Sequence, residues 1–219
     1  IALLERTESG TDRRSLPGLP DDSFSRAKVP MTKEEIRVLS LAKLNLKRES
    51  IVYDIGSGTG SIAVEAALRS KQLRVYAVAH GEEACGLIAE NASRAGVQNL
   101  VVVKGEAPEC LGELPVPTHA FIGGSGGRLR EILLALREKN PNVRVVLNAV
   151  SLETVAEVVA LRKELLICDE EITQIAVSRA KKAGSHHLMQ AENPIYVIFF
   201  SVSENGEIYA QNPDSPVQM

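Results

Sequence analysis

Ten residues, Ile51 to Gly60, constrain this chain more than any other stretch: Ile-Val-Tyr-Asp-Ile-Gly-Ser-Gly-Thr-Gly. An apolar run carries Asp54 near its end, glycines stand at alternate positions 56, 58 and 60, and Ser61-Ile-Ala-Val-Glu-Ala-Ala-Leu68 begins a helical pattern. The order is strand, tight turn, helix N-terminus. Glycine accepts the positive φ of such a turn and lets another group approach the backbone, while the first N–H groups of the helix remain available as donors. The functional site is expected here.

The rest of the chain repeats the unit. Strands are expected over Leu73 to Ala79, Leu100 to Val103, His119 to Ile122 and Val143 to Leu147. Helices are expected over Glu82 to Ala95, closed by Gly96, over Arg128 to Arg137, and from a Ser151 cap through Leu165. In that last helix Leu152, Val155, Val158, Val159 and Leu161 form a broad apolar face. Upstream, Pro30 sets an extended lead-in, and Thr32-x-x-Glu35 reads as a capping box for a helix to about Leu44. Two late strands follow, Glu171 to Ser178 and Pro194 to Val202, joined by a polar loop, Arg179 to Asn193, too long for a tight hairpin. Strands alternating with helices give a parallel sheet by right-handed crossovers, and two strands joined without a helix give an antiparallel end. The expected fold is α/β and Rossmann-like: a mostly parallel seven-stranded sheet with an antiparallel last strand. Asp54, Ala79, Glu106 and the Gly123 to Gly127 loop then meet at the carboxyl edge, where such sheets bind ligands.

Composition narrows the partners. A net charge of −3 lacks the global basic field of nucleic-acid binders, so no nucleic acid is expected. No apolar run approaches the roughly 20 residues of a membrane helix, so no membrane partner is expected and a cytoplasmic location is. Cys85, Cys110 and Cys168 lack paired metal-ligand spacing, and the adjacent His186 and His187 have no third ligand at a suitable distance. No metal site is expected.

Two frames fit the glycine turn. Gly58-x-Gly60-x-x-Ala63 fits the dinucleotide fingerprint, but the position where an acid should meet the ribose, about 20 residues on, is Ala79. The frame Asp54-x-Gly56-x-Gly58-x-Gly60 resembles motif I of the class I S-adenosylmethionine-dependent methyltransferases, and further matches downstream favour it. These are Leu19-Pro-Asp-Asp-Ser-Phe, Pro30-Met-Thr-Lys-Glu-Glu, Gly105-Glu-Ala-Pro-Glu, Phe121-Ile-Gly-Gly-Ser-Gly-Gly and Asn193-Pro-Ile. Together they resemble the decarboxylating precorrin C-15 methyltransferases of cobalamin biosynthesis, free-standing or as the C-terminal half of the C-5,15 enzyme. The resemblance spans about Leu19 to Ser201.

What this resemblance implies can be set out by position. S-adenosylmethionine would be the cofactor, contacted by Thr32, by Asp54 and the turn Gly56, Ser57, Gly58, Thr59 and Gly60, by Ala79 and His80, and by Glu106 and Ala107. The family's ribose acid falls at Ala79, a departure for which His80, Glu82 or water would have to compensate. The substrate would be a tetrapyrrole, methylated at C-15 with loss of carbon dioxide from the C-12 acetate. Its carboxylates call for basic residues, with Arg128, Arg179 and Lys181 as candidates beside a substrate loop at Gly124, Ser125 and Gly126. No catalytic residue is assigned, because methyl transfer of this kind rests on positioning.

Residues 1–18 are expected to be a linker or the end of an upstream C-5 methyltransferase domain, 19–203 the methyltransferase domain and 204–219 a tail. The resemblance also implies a homo-oligomer, a tetramer. Three other readings stay open: a methyltransferase acting on RNA or protein, a module that binds cofactor with impaired catalysis, and a nicotinamide oxidoreductase.

Overall fold

The computed structural model describes residues 18–164 and 166–202. The expected linker and tail lie almost wholly outside these residues, as does Leu165. Five α-helices and nine strands are described: α1 (Glu34–Leu44), β1 (Ile51–Ile55), α2 (Ser61–Leu68), β2 (Arg74–Ala79), α3 (Glu82–Ala95), β3 (Leu100–Lys104), β4 (His119–Ile122), α4 (Leu129–Lys139), β5 (Arg144–Ala149), α5 (Leu152–Lys163), β6 (Ile167–Ile175), β7 (Ser178–Ala183), β8 (His186–Ala191) and β9 (Ile195–Val202).

Seven strands form one sheet in the order β3-β2-β1-β4-β5-β9-β6. Pairs among β1 to β5 are parallel, and β9 runs antiparallel to both β5 and β6. The sheet is buried on both faces, which is why its central strands read as continuous apolar runs. One face, with Ile55, Val78, Ile122, Leu147 and Phe200, packs against α4 and α5. The other, with Val52, Val75, Phe121 and Val146, packs against α1, α2 and α3. This doubly wound arrangement leaves the strand ends as the open edges.

Four expectations require correction. The segment expected as a loop is the β7–β8 hairpin, a separate two-stranded sheet paired from Ser178↔Ala191 to Ala183↔His186. Gly184, at φ +62, takes the first of the two turn positions, the place a tight hairpin reserves for glycine. Both hairpin faces are exposed, so no apolar alternation marked these strands. β6 starts earlier than expected, at Ile167. Its register shifts between Cys168 and Glu171, with Asp169 at φ +54, and this bulge breaks the alternation.

The apolar face of α5 is only half used: Val158 and Leu161 are buried, whereas Leu152 and Val159 are exposed. Finally, Thr32 does not cap α1. Lys33 occupies the cap position without a side-chain bond, and Asp21 Oδ1 accepts the Glu34 N–H at 2.9 Å from thirteen residues upstream. The cap comes from the lead-in, which ties that segment to the helix.

Candidate functional site

The carboxyl edge is built from backbone before side chains. Gly56, Gly58 and Gly60 have φ of +68, +57 and +79. The Ser57 N–H donates to Val78 O at 3.0 Å, and the Gly60 N–H to Ser57 O at 2.9 Å. The glycines are needed as much for the protein's own close approaches as for a ligand. A Cβ on Gly56 would stand 2.5 Å from Gly124 O, and one on Gly58 2.5 Å from Pro30 O. The turn is therefore wedged between the β4 loop and the lead-in.

Asp54 lies beneath this turn, fully buried. Its Oδ2 accepts from Ser57 Oγ at 2.6 Å and from the Ala63 N–H at 3.1 Å, so it fastens the turn to the start of α2. Its Oδ1 is buried without a hydrogen-bond partner among the described residues, as is Thr59 Oγ1. Burial pushes the Asp54 carboxyl up to about 7, against the two hydrogen bonds that hold it down.

The lead-in is held over the turn by residues that sequence reasoning missed. Arg37, on α1 and buried, donates from Nε to Glu65 Oε1 at 2.5 Å and from Nη1 to Thr32 O at 2.6 Å, and its Nη2 is bonded to Leu19 O. Its guanidinium also lies 4.7 Å from the centre of the Phe24 ring. Glu65 in turn accepts the Gly18 and Leu19 N–H groups at 2.9 and 3.0 Å. On α3, Asn91 Nδ2 donates to Thr59 O and to Ser25 O, both at 2.9 Å, while its Oδ1 accepts the Ser25 N–H at 2.8 Å. Arg37 and Asn91 thereby hold the lead-in against the glycine turn. The signal available was a polar residue on an otherwise buried helix face, which is weak without the structure.

A cavity of about 220 Å³ opens at this edge, lined by Gly56, Ala79, His80, Glu106, Ala107, Gly124, Ser125, Gly126 and Arg128 among the predicted residues, and by Ile55, Val78, Gly105 and Ile132, which were not predicted. Thr32, Asp54, Ser57, Gly58, Thr59 and Gly60 are not in its wall: Ser57 to Gly60 belong to the turn, Asp54 braces it, and Thr32 lies in the lead-in, bonded to Arg37. Arg128 makes two hydrogen bonds to Glu109, at 2.8 and 2.5 Å, which hold the Glu109 carboxyl below its ordinary range.

Arg179, on β7, is taken up by carboxylates: Glu35, Glu192 at 2.7 Å, and Asp21 at 3.8 Å. It tethers the hairpin to the lead-in instead of standing open. Lys181 is exposed on the same strand. A larger hollow of about 610 Å³, with Lys47, Arg48, His119 and Arg144 in its wall, opens at the opposite edge of the sheet, away from the glycine turn.

With this geometry in place, comparison with known proteins decides the family. Residues 22–202 match the model of the precorrin methyltransferase domain. The chain belongs to that family. It is a methyltransferase, and S-adenosylmethionine is its methyl donor. The family match closes the nicotinamide reading. A Pyrobaculum calidifontis protein named probable cobalt-precorrin-6B C(15)-methyltransferase (decarboxylating) is 45% identical over 185 residues, covering 83% of this chain and 94% of that one. Among solved structures, precorrin-6y C5,15-methyltransferase from Geobacter metallireducens superposes with a TM-score of 0.79 at 33% identity, covering 84% of this chain and 98% of the other. Precorrin 8W decarboxylase from Methanobacterium thermoautotrophicum gives 0.77 at 33% identity, covering 84% and 100%.

The residues fit the donor. A glycine-lined cavity with a carboxylate at its rim, beside a turn whose buried Asp54 has one oxygen without a donor among the described residues, suits a nucleoside joined to a charged amino acid. Among the described residues no three metal-ligating side chains are grouped, and no helix is long and apolar enough to cross a membrane.

Proposed function

We propose that this chain methylates C-15 of a precorrin or cobalt-precorrin macrocycle, with decarboxylation, in cobalamin biosynthesis. The observation that carries the reading is the coincidence of the cavity with the narrowest sequence signature. The Gly123 to Gly127 loop contributes Gly124, Ser125 and Gly126 to the wall that Gly56 and Glu106 also form. Near-full-length similarity to proteins named for this reaction supports it.

When bound, S-adenosylmethionine supplies an electrophilic methyl group. We assign its binding to Thr32, Asp54, Gly56 to Gly60, Ala79, His80, Glu106 and Ala107. The turn would hold the amino-acid end and the β2 and β3 ends the nucleoside. The work left to the protein is to hold an electron-rich carbon in line with the donor, which accounts for much of the acceleration in such reactions.

Substrate contacts are assigned to Gly124, Ser125, Gly126, Arg128, Arg179 and Lys181. The bidentate Arg128–Glu109 pair shows how a guanidinium at this mouth takes a carboxylate. A substrate carboxylate exchanging with Glu109 would use the same geometry. Loss of carbon dioxide leaves an electron pair that the conjugated macrocycle can accept, so no side chain is assigned that role.

The proposal extends to residues 19–203 as the catalytic domain, a homo-oligomeric cytoplasmic enzyme and an upstream C-5 methyltransferase domain fused before residue 19. Intact-mass analysis of the natural product and light scattering test the last two. The reaction itself is tested by incubating the chain with S-adenosylmethionine and the tetrapyrrole. The expected product gains one methyl group and loses one carbon dioxide. Cofactor consumption with RNA or a protein instead of the tetrapyrrole would redirect the assignment.

A further inference from the structure

In α/β nucleotide sites the ribose is met by an acidic residue at the end of the second strand. Here β2 ends at Ala79, which is buried and lies in the cavity wall with only a methyl group to offer. A ribose diol brought against that methyl would lose its bonds to water without replacement, at a cost that binding has to absorb. Another acceptor is needed within the same rim.

The carboxylates nearby can be taken in turn. Glu82 is bonded to Lys104 Nζ at 2.6 Å, and Glu109 to Arg128. Asp54 is buried beneath the turn. Glu106 is the one carboxylate among the residues that line the cavity. The sheet brings it beside Ala79: Lys104 is the register partner of Ala79, the Gly105 N–H donates to Ala79 O at 3.0 Å, and Glu106 follows. His80 Nδ1 lies 3.2 Å from Glu106 Oε1. The contact puts one oxygen of the carboxylate beside the residue that follows Ala79 at the β2 end.

We propose that Glu106, positioned by His80, accepts the hydroxyls of the cofactor ribose in place of a carboxylate at Ala79. This rests on the reading of the cavity as the cofactor site. Glutamate reaches one methylene further than aspartate, so the acceptor arrives from β3 across the gap left at β2. Both side chains are more than half exposed, so replacing them leaves the core intact.

The test is a calorimetric cycle with two probes, S-adenosylhomocysteine and its 2′,3′-dideoxy analogue, against the wild-type chain, Glu106→Ala and His80→Ala. Wild type should prefer the hydroxylated probe by roughly 10- to 100-fold, the range expected for a hydrogen bond to a charged group. Glu106→Ala should abolish that preference while binding the dideoxy probe as wild type does. His80→Ala should lose part of it. If Glu106→Ala weakens both probes equally, or weakens neither, the ribose assignment is wrong. Full discrimination in His80→Ala would remove His80 from it. A wild-type chain that binds neither probe contradicts the cofactor site itself, and the ribose assignment falls with it.

Discussion

Arg37 and Glu65 form a buried ion pair, Nε to Oε1 at 2.5 Å, between helices α1 and α2. Every remaining bond of the two groups goes to the lead-in: the Thr32 and Leu19 carbonyls, the Gly18 and Leu19 N–H groups, and Asp21. Breaking a buried pair leaves an uncompensated charge, which typically costs about 3–5 kcal/mol. Glu65→Ala should show that loss in urea unfolding. Because the lead-in loses its anchor, binding of S-adenosylhomocysteine should weaken as well. Unchanged binding in a folded Glu65→Ala chain would separate the lead-in from the site.

Gly58 should be sensitive to alanine and Gly124 should not. At Gly58 the backbone is at φ +57 and the added carbon meets Pro30 O, whereas at Gly124 nothing lies within 4 Å. Strain in the left-handed region alone costs about 1–3 kcal/mol. Denaturant unfolding should therefore find Gly58→Ala destabilised by at least that much and Gly124→Ala within about 0.5 kcal/mol of wild type. Equal stability of the two would contradict the wedged turn.

Asp54 gives the protein a defined pH dependence. Its carboxyl rises from 3.8 to about 7 on folding because burial outweighs its two hydrogen bonds. The contribution to stability is complete below the lower value and is lost as pH rises through the upper one. Relative to Asp54→Asn, wild type should lose stability between pH about 4 and about 7 and then level off. Cofactor binding should run the other way. A cationic amino group favours the ionised carboxylate, so wild-type affinity should fall below pH about 7 while Asp54→Asn stays flat. Parallel profiles for the two chains would exclude Asp54 as the titrating group.

Arg128 sits at the cavity mouth, paired with Glu109 on the surface. Surface pairs contribute little to stability, so Arg128→Ala should melt near the wild-type temperature. If the arginine takes a substrate carboxylate, the KM for the tetrapyrrole should rise while affinity for S-adenosylhomocysteine holds. A change in kcat without a change in KM would assign it another role.

The parallel part of the fold was legible because β1, β2 and β4 are buried on both faces and followed closely by glycines. The glycine turn, the β4 loop and the Glu106 edge were legible for the same reason, since each interrupts an apolar strand at its carboxyl end. The β7–β8 hairpin was not, because both of its faces are exposed and no burial pattern selects its register. The Arg37 and Asn91 anchors were hidden differently. Asn91 bonds only to backbone groups of Ser25 and Thr59, and Arg37 divides its bonds between backbone carbonyls and carboxylates on other elements, pairings that no local pattern in the sequence marks. The capping box failed at Thr32 because Asp21, distant in the chain, supplies the acceptor instead.

The central claim is methyl transfer to C-15 with decarboxylation, and the most direct measurement is the mass and carbon NMR spectrum of the tetrapyrrole after incubation with methyl-labelled S-adenosylmethionine. The account predicts label at C-15 and loss of one carbon dioxide from the same molecule. Unaltered tetrapyrrole, recovered from a chain that binds S-adenosylhomocysteine, would contradict it.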